Sequence, residues 1–417
     1  MQSYALFTDT LAGALGRHDL AAFNPLLLKS SEAEADLLFS DDEFWRGEKS
    51  GVSTVGLYSF ADSPQRALPA SFPFVFGGKL NGGDRIGNYG RAIFRQQVMN
   101  ETIHAPLAWA HTAGDWTRVF TLLSAAPTGP LTDSARRSAV YASTDHRFDI
   151  ARLTAKVNGG DWLVLQKGGR LTQTHAHHDS GSFILRIGKD SWFSDLGYEL
   201  SGAGTYPQGY FSLPETSQYS GGLRYFRKND LSHNLVTLDG RPLNLNGQAN
   251  LIDAREGVNA SDGAQFVQTV WDTSSLYAGL AKAARRTLTL TERGRYTTLD
   301  IVDELDFDDS AAIAGAHWHV LTCSGDGAAK VVATNRAEIA KSAENRLLID
   351  VVRPVGATLR VMSANPGTNA EMKRTGPGEA ENANLGCEIV EVSAGSGQLI
   401  DVGGGVKRLV FAVRVGR

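Results

Sequence analysis

The pattern of apolar and polar positions along the chain changes near residue 135. Before it, apolar residues recur at helical spacing, and we predict helices over Tyr4–Leu15, Asn88–Ala110 and Asp115–Ala125. Ser31-Glu-Ala-Glu34 has the form of a capping box and predicts a further helix that carries Leu37 and Leu38. Residues 46–85 are rich in Gly, Pro and Ser, which indicates a long irregular segment.

After the breaker sequence Ala126-Pro-Thr-Gly-Pro130, short apolar or alternating runs follow one another with turn residues between them. Strands are predicted over Ala151–Val157, Trp162–Gln166, Ser182–Ile187, Asn234–Leu238, Phe266–Trp271, Thr287–Leu290, Thr297–Val302, His317–Thr322, Leu347–Val352, Leu359–Ser363, Glu388–Val392 and Leu409–Val415. Consecutive strands without regular helices between them favour an antiparallel β-sandwich. The predicted fold class is therefore α+β and multidomain, with a mainly helical region over residues 1–135 and a large antiparallel β-sandwich over residues 136–417.

Composition and charge restrict the classes of function. The 417 residues carry 41 basic and 45 acidic side chains, a formal net charge of -4, which is not the basic footprint of a nucleic-acid-binding protein. No apolar run is long enough for a transmembrane span, and the N-terminal residues lack the features of a signal peptide. The two cysteines, Cys323 and Cys387, could pair or stay free, but they exclude a disulfide-stapled scaffold and a zinc site built from cysteines.

The richest chemistry lies in Thr174-His-Ala-His-His-Asp-Ser-Gly-Ser-Phe183, which holds three histidines and an aspartate within five residues. In an extended segment His175, His177 and Asp179 face one way and His178 the other. Imidazole suits zinc and its neighbours, and a carboxylate can complete the ligand shell. Asp179 is expected to orient His177, and His178 to be exposed or structural.

Two later positions complete this candidate site. Asp195 lies in Trp192-Phe-Ser-Asp-Leu-Gly-Tyr198, and His233 lies in Leu231-Ser-His-Asn-Leu-Val-Thr-Leu-Asp-Gly240. We predict that His177, Asp195 and His233 come from three separate strands and bind a divalent metal. A single histidine near a strand end is more often a structural residue than a ligand, so the prediction depends on the combination.

These motifs, with Arg227 between them, resemble those of the heparinase II/III-like polysaccharide lyases over about 65 residues. The resemblance implies an α/α-toroid followed by an antiparallel β-sandwich, with the active site between them. It implies a structural zinc, or a similar cation, held by His177, Asp195 and His233, and a catalytic role for His175. The implied reaction is β-elimination on an anionic, uronate-containing glycan, and the implied location is periplasmic or secreted.

Other residues fit this picture less specifically. The segment Gly83-Asp-Arg-Ile-Gly-Asn-Tyr-Gly90 resembles the family's toroid tyrosine region and makes Tyr89 a catalytic candidate; the alternative is an ordinary helix N-terminus. Tyr198, Arg224 and Arg227 are candidates for substrate binding, because guanidinium groups bind carboxylates and sulfates and aromatic rings stack on sugars. Their alternative roles are packing and a salt bridge that pins the loop before His233. His317 and His319 are predicted to be sheet residues.

Three functions remain open from the sequence. The first is a polysaccharide or oligosaccharide lyase. The second is a non-catalytic, metal-stabilised β-sandwich that binds glycans or acts as a scaffold, which is suggested by the short helical region. The third is a metal-dependent hydrolase with an open metal position. The sequence also leaves open the sugar, the metal and the oligomeric state.

Overall fold

A computed structural model describes residues 38–40, 55–57, 138–147, 149–155, 161–172, 176–188, 190–199, 205–212, 219–310, 313–376, 379 and 381–417. The chain divides into two compact units. The first contains Met1–Tyr58 and Arg66–Ala135, and the second contains Ser59–Gln65 and Arg136–Arg417. Within the described ranges no helix is both long enough and apolar enough to cross a membrane.

The described part of the first unit is a short antiparallel pair of strands, β1 (Leu38–Ser40) and β2 (Val55–Leu57). Leu38 therefore belongs to a strand, so the helix predicted to carry it is wrong at that position. The irregular segment predicted over residues 46–85 likewise contains a strand. Both short runs find a hydrogen-bonded partner outside their local sequence, which local signals do not reveal. The three other predicted helices lie outside the described residues.

The second unit is built from antiparallel strands. They are β3 (Ser138–Ala142), β4 (Asp149–Ala155), β5 (Trp162–Lys167), β6 (Gly169–Arg170), β7 (Phe183–Ile187), β8 (Asp190–Phe193), β9 (Val236–Leu238), β10 (Gln248–Val258), β11 (Gln265–Asp272), β12 (Ala283–Arg293), β13 (Tyr296–Asp308), β14 (Ala316–Thr322), β15 (Ala329–Ala333), β16 (Arg336–Ala340), β17 (Arg346–Arg353), β18 (Thr358–Ser363), β19 (Glu388–Ala394), β20 (Ile400–Gly403) and β21 (Val406–Gly416). Short 3-10 turns lie at Gly221–Arg224, Phe226–Lys228, Asp230–Ser232, Ser274–Tyr277 and Ser396–Gln398.

These strands form three sheets. A ten-stranded sheet has the order β15-β16-β17-β21-β13-β12-β11-β10-β6, with β20 also paired to β21. A four-stranded sheet has the order β18-β19-β14-β9, and a five-stranded sheet has the order β3-β4-β5-β7-β8. Their inner faces share one apolar cluster, in which Phe183, Trp192, Trp318 and Leu290 are all buried. The sheet-rich, antiparallel prediction for this region is confirmed.

Strand β13 shows why the sequence folds this way. Its residues alternate between buried and more exposed positions along nearly its whole length. Leu299, Ile301, Leu305 and Phe307 lie on the core face, while Thr298, Asp300, Glu304 and Asp306 are more exposed. Thr297 and Asp303 are the polar residues on the core face, and the cross-strand partner of Asp303 on β12 is Arg286. The strands predicted over Thr287–Leu290 and Thr297–Val302 are confirmed as parts of β12 and β13, which form an antiparallel hairpin with its turn at Gly294 in the left-handed region (φ 60°).

The two cysteines form a disulfide, Cys323–Cys387, across 64 residues of sequence. Cys323 follows β14 and Cys387 precedes β19, and the adjacent residues Thr322 and Glu388 are paired in the sheet. The bond therefore ties two neighbouring strands at one end of the four-stranded sheet. This resolves the alternative that the sequence left open.

Candidate functional site

The three predicted ligands lie on loops rather than within strands. His177 is in the connection between β6 and β7, Asp195 lies two residues after the end of β8, and His233 caps the 3-10 turn Asp230–Ser232 before β9. The prediction that strands present them directly is therefore wrong. The ligands lie next to strands in the sequence. β7 and β8 are paired neighbours, and β9 begins three residues after His233.

The structure brings the three side chains together. Nδ1 of His233 lies 3.1 Å from Oδ2 of Asp195, and the ring centroids of His177 and His233 are 5.5 Å apart. The exposed fractions are 0% for His177, 1% for His233 and 8% for Asp195, so the group is enclosed by protein. Within the described ranges, however, no set of three or more His, Cys, Asp or Glu side chains closes around a metal position.

The hydrogen bonding of this group points to a missing partner. Nδ1 of His177 and Nε2 of His233 are buried without a hydrogen bond to any described residue, while Nδ1 of His233 and Oδ2 of Asp195 have only each other, 3.1 Å apart. A buried polar atom that stays unpaired costs about 1–3 kcal/mol, so two unpaired ring nitrogens beside this pair call for a ligand. Two imidazoles and a carboxylate are the donors that zinc accepts. By its chemistry and its unpaired atoms, the set fits a divalent cation.

The protonation state of His177 suits this role. Burial, and next the neighbouring His233, hold the pKa of His177 well below its usual 6.5. The ring is therefore neutral at pH 7, which is the form that binds metals. Its Nε2 lies 3.0 Å from the hydroxyl oxygen of Tyr210. The same oxygen accepts a hydrogen bond from the backbone N–H of Glu199 at 3.4 Å.

His178 and Asp179 depart from the alternation predicted for an extended segment. Both are as buried as His177, because the chain turns at Ser180 and Gly181, where Gly181 has φ 86°. Burial lowers the pKa of His178 to about 3, so His178 is a neutral, enclosed residue rather than an exposed one. Asp179 pairs with Lys167 of β5. The orienting partner of His177 is Tyr210, a residue that the sequence did not single out for this role.

Asn234, directly after His233, joins β7 to β14 beside the site. Its Nδ2 donates to the carbonyl of Phe183 at 2.6 Å, and its Oδ1 accepts from the N–H of Leu321 at 2.7 Å. Its own carbonyl accepts a hydrogen bond at 2.7 Å from the buried guanidinium of Arg286, which also donates to the carbonyl of Gly181. The loops that carry His177 and His233 are thus tied to one side chain of β12.

Two predicted substrate-binding arginines are already bonded within the protein. Arg224 donates to Oε1 of Glu379 at 2.8 Å and to the carbonyl of Gln208 at 2.6 Å. Arg227 donates to Oδ1 of Asn384 at 2.8 Å and to the carbonyl of Tyr198 at 2.9 Å. These contacts fit the alternative role given in the sequence analysis, in which the arginines hold the loop before His233 in place.

The remaining predicted site residues are placed as follows. The Tyr198 ring is half-buried, with its centroid 6.1 Å from that of Tyr206. His317 and His319 lie in β14, as predicted for sheet residues. The two predicted catalytic residues, His175 and Tyr89, lie outside the described residues.

Comparisons with known proteins agree with this architecture. The sequence profile of the heparinase II/III-like, C-terminal family matches residues 147–376, which is more than half of the chain and includes all three candidate ligands. A search of curated proteins found no match. Heparinase III superimposes with a TM-score of 0.53 at 13% identity, covering 95% of this chain and 48% of that one. Heparan sulfate lyase HepC from Pedobacter heparinus gives a TM-score of 0.46 at 14% identity, covering 79% and 41%.

This chain spans less than half the length of either of those two proteins. At 13% identity the likeness to heparinase III shows a shared fold. The profile match covers the strands, loops and motifs that build the candidate site. The chain belongs to the heparinase II/III-like family through its C-terminal domain.

Proposed function

We propose that this protein is a polysaccharide lyase that cleaves a uronate-containing glycan by β-elimination. One observation carries the proposal. Three motif residues that are far apart in sequence, His177, Asp195 and His233, converge on a buried centre with unpaired donor atoms. They do so in a chain whose family profile is heparinase II/III-like.

The reaction sets clear demands on the site. The C5 proton of a uronate is poorly acidic, because the neighbouring carboxylate is itself negatively charged. Hydrogen bonds or positive charge at that carboxylate stabilise the enolate-like intermediate. A base removes the C5 proton, and an acid protonates the leaving glycosidic oxygen. We assign part of this work to His175, two residues before His177, and the opposing acid or base to Tyr89.

A divalent cation, most simply Zn²⁺, would be held by Nδ1 of His177, Oδ2 of Asp195 and a ring nitrogen of His233. Bound there, it would hold the three ligand side chains in one arrangement, two residues from His175 in the sequence. The burial of all three ligands favours this structural role over a metal that activates water, because a hydrolytic metal needs a solvent-accessible position.

In this proposal the substrate is bound by Tyr198, Arg224 and Arg227. Tyr198 belongs to an aromatic group with Tyr206, Tyr210, Phe211 and Tyr225. The guanidinium of Arg224 lies over the Tyr225 ring, 4.6 Å from its centroid, and Arg227 donates to the carbonyl of Tyr198. The internal hydrogen bonds of the arginines hold their guanidinium groups in fixed positions. A fixed guanidinium loses little conformational freedom when it meets an anion.

The test is the absorbance of the unsaturated uronate product. Full-length, zinc-supplied protein is incubated with heparan sulfate, heparin and alginate, and bound metal is measured by elemental analysis. We expect product with at least one polymer. His175→Ala should abolish product while bound metal is retained, whereas His177→Ala should lose both. If folded, metal-loaded protein yields no product from any uronate polymer, the lyase proposal is wrong; glycan binding without product would support a non-catalytic sandwich.

A further inference from the structure

A polar cleft lies where β6 meets the start of β10, and none of its residues belongs to the motifs described above. Its volume is about 400 Å³. This is at the lower end of the range of small-molecule sites, roughly 300–1,000 Å³, and is enough for one sugar unit with its substituent. The polar side chains that line it are Arg170, Thr172, Asn246, Gln248, Asn250 and Ser275.

The residues that line this cleft carry a net positive charge. Arg170 is its one ionised lining residue, and the others are amides, hydroxyls and Leu245. No carboxylate in the described part of the chain forms an ion pair with Arg170, although most other arginines of the sheets have one, as Arg408 has with Asp306. An exposed guanidinium among amide and hydroxyl donors, with no acid beside it, is suited to an oxyanion.

Neighbouring side chains orient this guanidinium. Nε of Arg170 donates to Oε1 of Gln248 at 3.3 Å, and Nε2 of Gln248 donates to Oδ1 of Asn250 at 2.8 Å. The bond through Nε leaves the two Nη groups of Arg170 for a ligand. Arg170 and Gln248 are also direct partners in the β6–β10 pairing, so the two side chains share one fixed register.

Hydrogen bonds and close packing also hold Ser275, another lining residue of the cleft. The backbone of Gly247 packs so closely on Ser275 that a Cβ at this position would lie 2.5 Å from the Ser275 carbonyl oxygen. Ser275 Oγ accepts from the N–H of Gln248 and donates to its carbonyl, both at 2.9 Å. Asn244 donates to the Ser275 carbonyl at 3.0 Å. The cleft is therefore formed before any ligand arrives, which lowers the entropic cost of binding.

We propose that this cleft binds the carboxylate or sulfate group of one acidic sugar unit, with Arg170 as its anion-binding residue. Thr172, one of its lining residues, precedes His175, to which we assign proton transfer, by three residues in the sequence. The identity of the polymer rests on the proposed lyase function, whereas the binding of an anion by the cleft is independent of that function.

The chain offers a matched control for Arg170. Arg255 is exposed on β10, and its Nε donates to Oε1 of Gln268 at 2.8 Å, the same type of contact as Arg170 makes with Gln248. It lies outside the cleft. Comparing Arg170→Gln with Arg255→Gln removes one positive charge in each case, so any difference reports the position of the charge rather than the net charge of the protein.

The experiment is calorimetric titration of the full chain and of both variants with a heparan sulfate tetrasaccharide at low salt. Heparosan tetrasaccharide, which carries carboxylates without sulfates, and neutral cellotetraose serve as comparison ligands. We expect Arg170→Gln to weaken binding of the acidic ligands about tenfold or more, because a charge-assisted, bidentate contact is lost. Arg255→Gln should change it less than about twofold, in line with a screened surface charge. Retention of heparosan binding identifies the carboxylate as sufficient, and binding of heparan sulfate alone identifies the sulfate.

The inference is overturned if the wild-type protein binds neither acidic tetrasaccharide, if cellotetraose binds equally well, or if the two variants behave alike. These results are distinct from failure of the lyase proposal. Binding that depends on Arg170 without formation of an unsaturated product would leave the cleft in place and refute the lyase. Product formation with a KM that is unaffected by Arg170→Gln would support the lyase and refute the role of the cleft.

Discussion

The hydroxyl oxygen of Tyr210 lies 3.0 Å from Nε2 of His177, while Nδ1 on the other side of that ring has no hydrogen-bond partner among the described residues. Coordination through Nδ1 requires the neutral tautomer in which Nε2–H donates to the phenol oxygen and the lone pair lies on Nδ1. Partners of this kind fix the tautomer and the orientation of a metal-binding histidine. Tyr210 thus connects the aromatic group to the proposed metal centre.

Replacing Tyr210 by phenylalanine should weaken zinc binding about tenfold or more, the usual effect of losing such a partner. The ring and its packing against Tyr206 and Lys228 are kept, so the change reports the hydroxyl alone. The measurement is a competition titration against a chromophoric chelator. Tyr225→Phe is the control, since Tyr225 is equally buried but donates to the carbonyl of Gln208. Equal zinc affinities for the two variants would contradict the role of Tyr210.

Glu391 on β19 should give the protein a pH-dependent stability. It accepts hydrogen bonds from Arg360 at 2.8 Å and from Ser393 at 2.6 Å and lies 3.2 Å from Nδ1 of His317. Although burial opposes ionisation, the contacts with His317 and Ser393 outweigh it and lower the pKa of Glu391 to about 2 from the ordinary 4.5. A carboxyl group whose pKa is depressed stabilises the fold above its unfolded pKa, and this stabilisation is lost as the pH falls toward the folded value.

The expected result is that Glu391→Gln lowers the free energy of unfolding by up to the order of 3 kcal/mol at pH 7, and by progressively less between about pH 4.5 and 2. Urea unfolding at a series of pH values checks this. Glu371→Gln is the control, because Glu371 pairs with the same Arg360 while its side chain is 59% exposed. If the difference in unfolding free energy between wild type and Glu391→Gln stays constant down to pH 2, the charge of Glu391 is not the cause of that difference.

Asn234→Ala should destabilise the protein by about 3 kcal/mol, since it leaves buried backbone groups of Phe183 and Leu321 without their partner. Asn369→Ala removes a similar bond, to the carbonyl of Ser363 at 2.8 Å, at an exposed position. It should cost less than about 1 kcal/mol. Urea midpoints of the two variants, measured with the disulfide intact, test the difference; similar midpoints would mean that Asn234 does not hold the sheets together.

The disulfide Cys323–Cys387 closes a loop of 64 residues in the unfolded chain. The loop-closure relation gives a stabilisation of about 4 kcal/mol for a loop of this length. Cys323→Ser combined with Cys387→Ser should therefore lower the melting temperature and the urea midpoint clearly. Reduction of the wild-type protein should reproduce the loss, while the double variant should not respond to reductant. A double variant as stable as the oxidised protein would show that the bond adds nothing.

The sequence predicts what depends on local periodicity. Alternating apolar residues predict β13, and the order of metal-binding side chains predicts the group of His177, Asp195 and His233. The same patterns do not predict β10, because its second half is exposed and lacks the alternation. They also place His177 on a strand, because the turn at Gly181 depends on backbone conformation, which periodicity does not reveal.

Hydrogen-bond partners that are far apart in the sequence cannot be predicted from local patterns, for a different reason. The contact between Tyr210 and His177 spans 33 residues, the bond between Arg170 and Gln248 spans 78, and the bond between Arg286 and Gly181 spans 105. Nothing in the local sequence of Tyr210, Arg170 or Arg286 distinguishes them from other tyrosines and arginines of the chain. Their roles follow from the order of the strands in the sheets, which periodicity does not specify.

Each proposed ligand has a residue within two positions of it in the sequence that is tied to the sheets. Asp179 pairs with Lys167 near His177, the N–H of Ser194 donates to Leu321 beside Asp195, and Asn234 follows His233. The backbone around the centre is therefore set without an ion, unlike that of a zinc finger, which unfolds when its metal is removed. Chelation should leave the circular dichroism spectrum unchanged. Because the ligands are buried, exchange of the ion is then controlled by the rate of entry and exit, and a protein prepared without zinc would regain it slowly but without refolding.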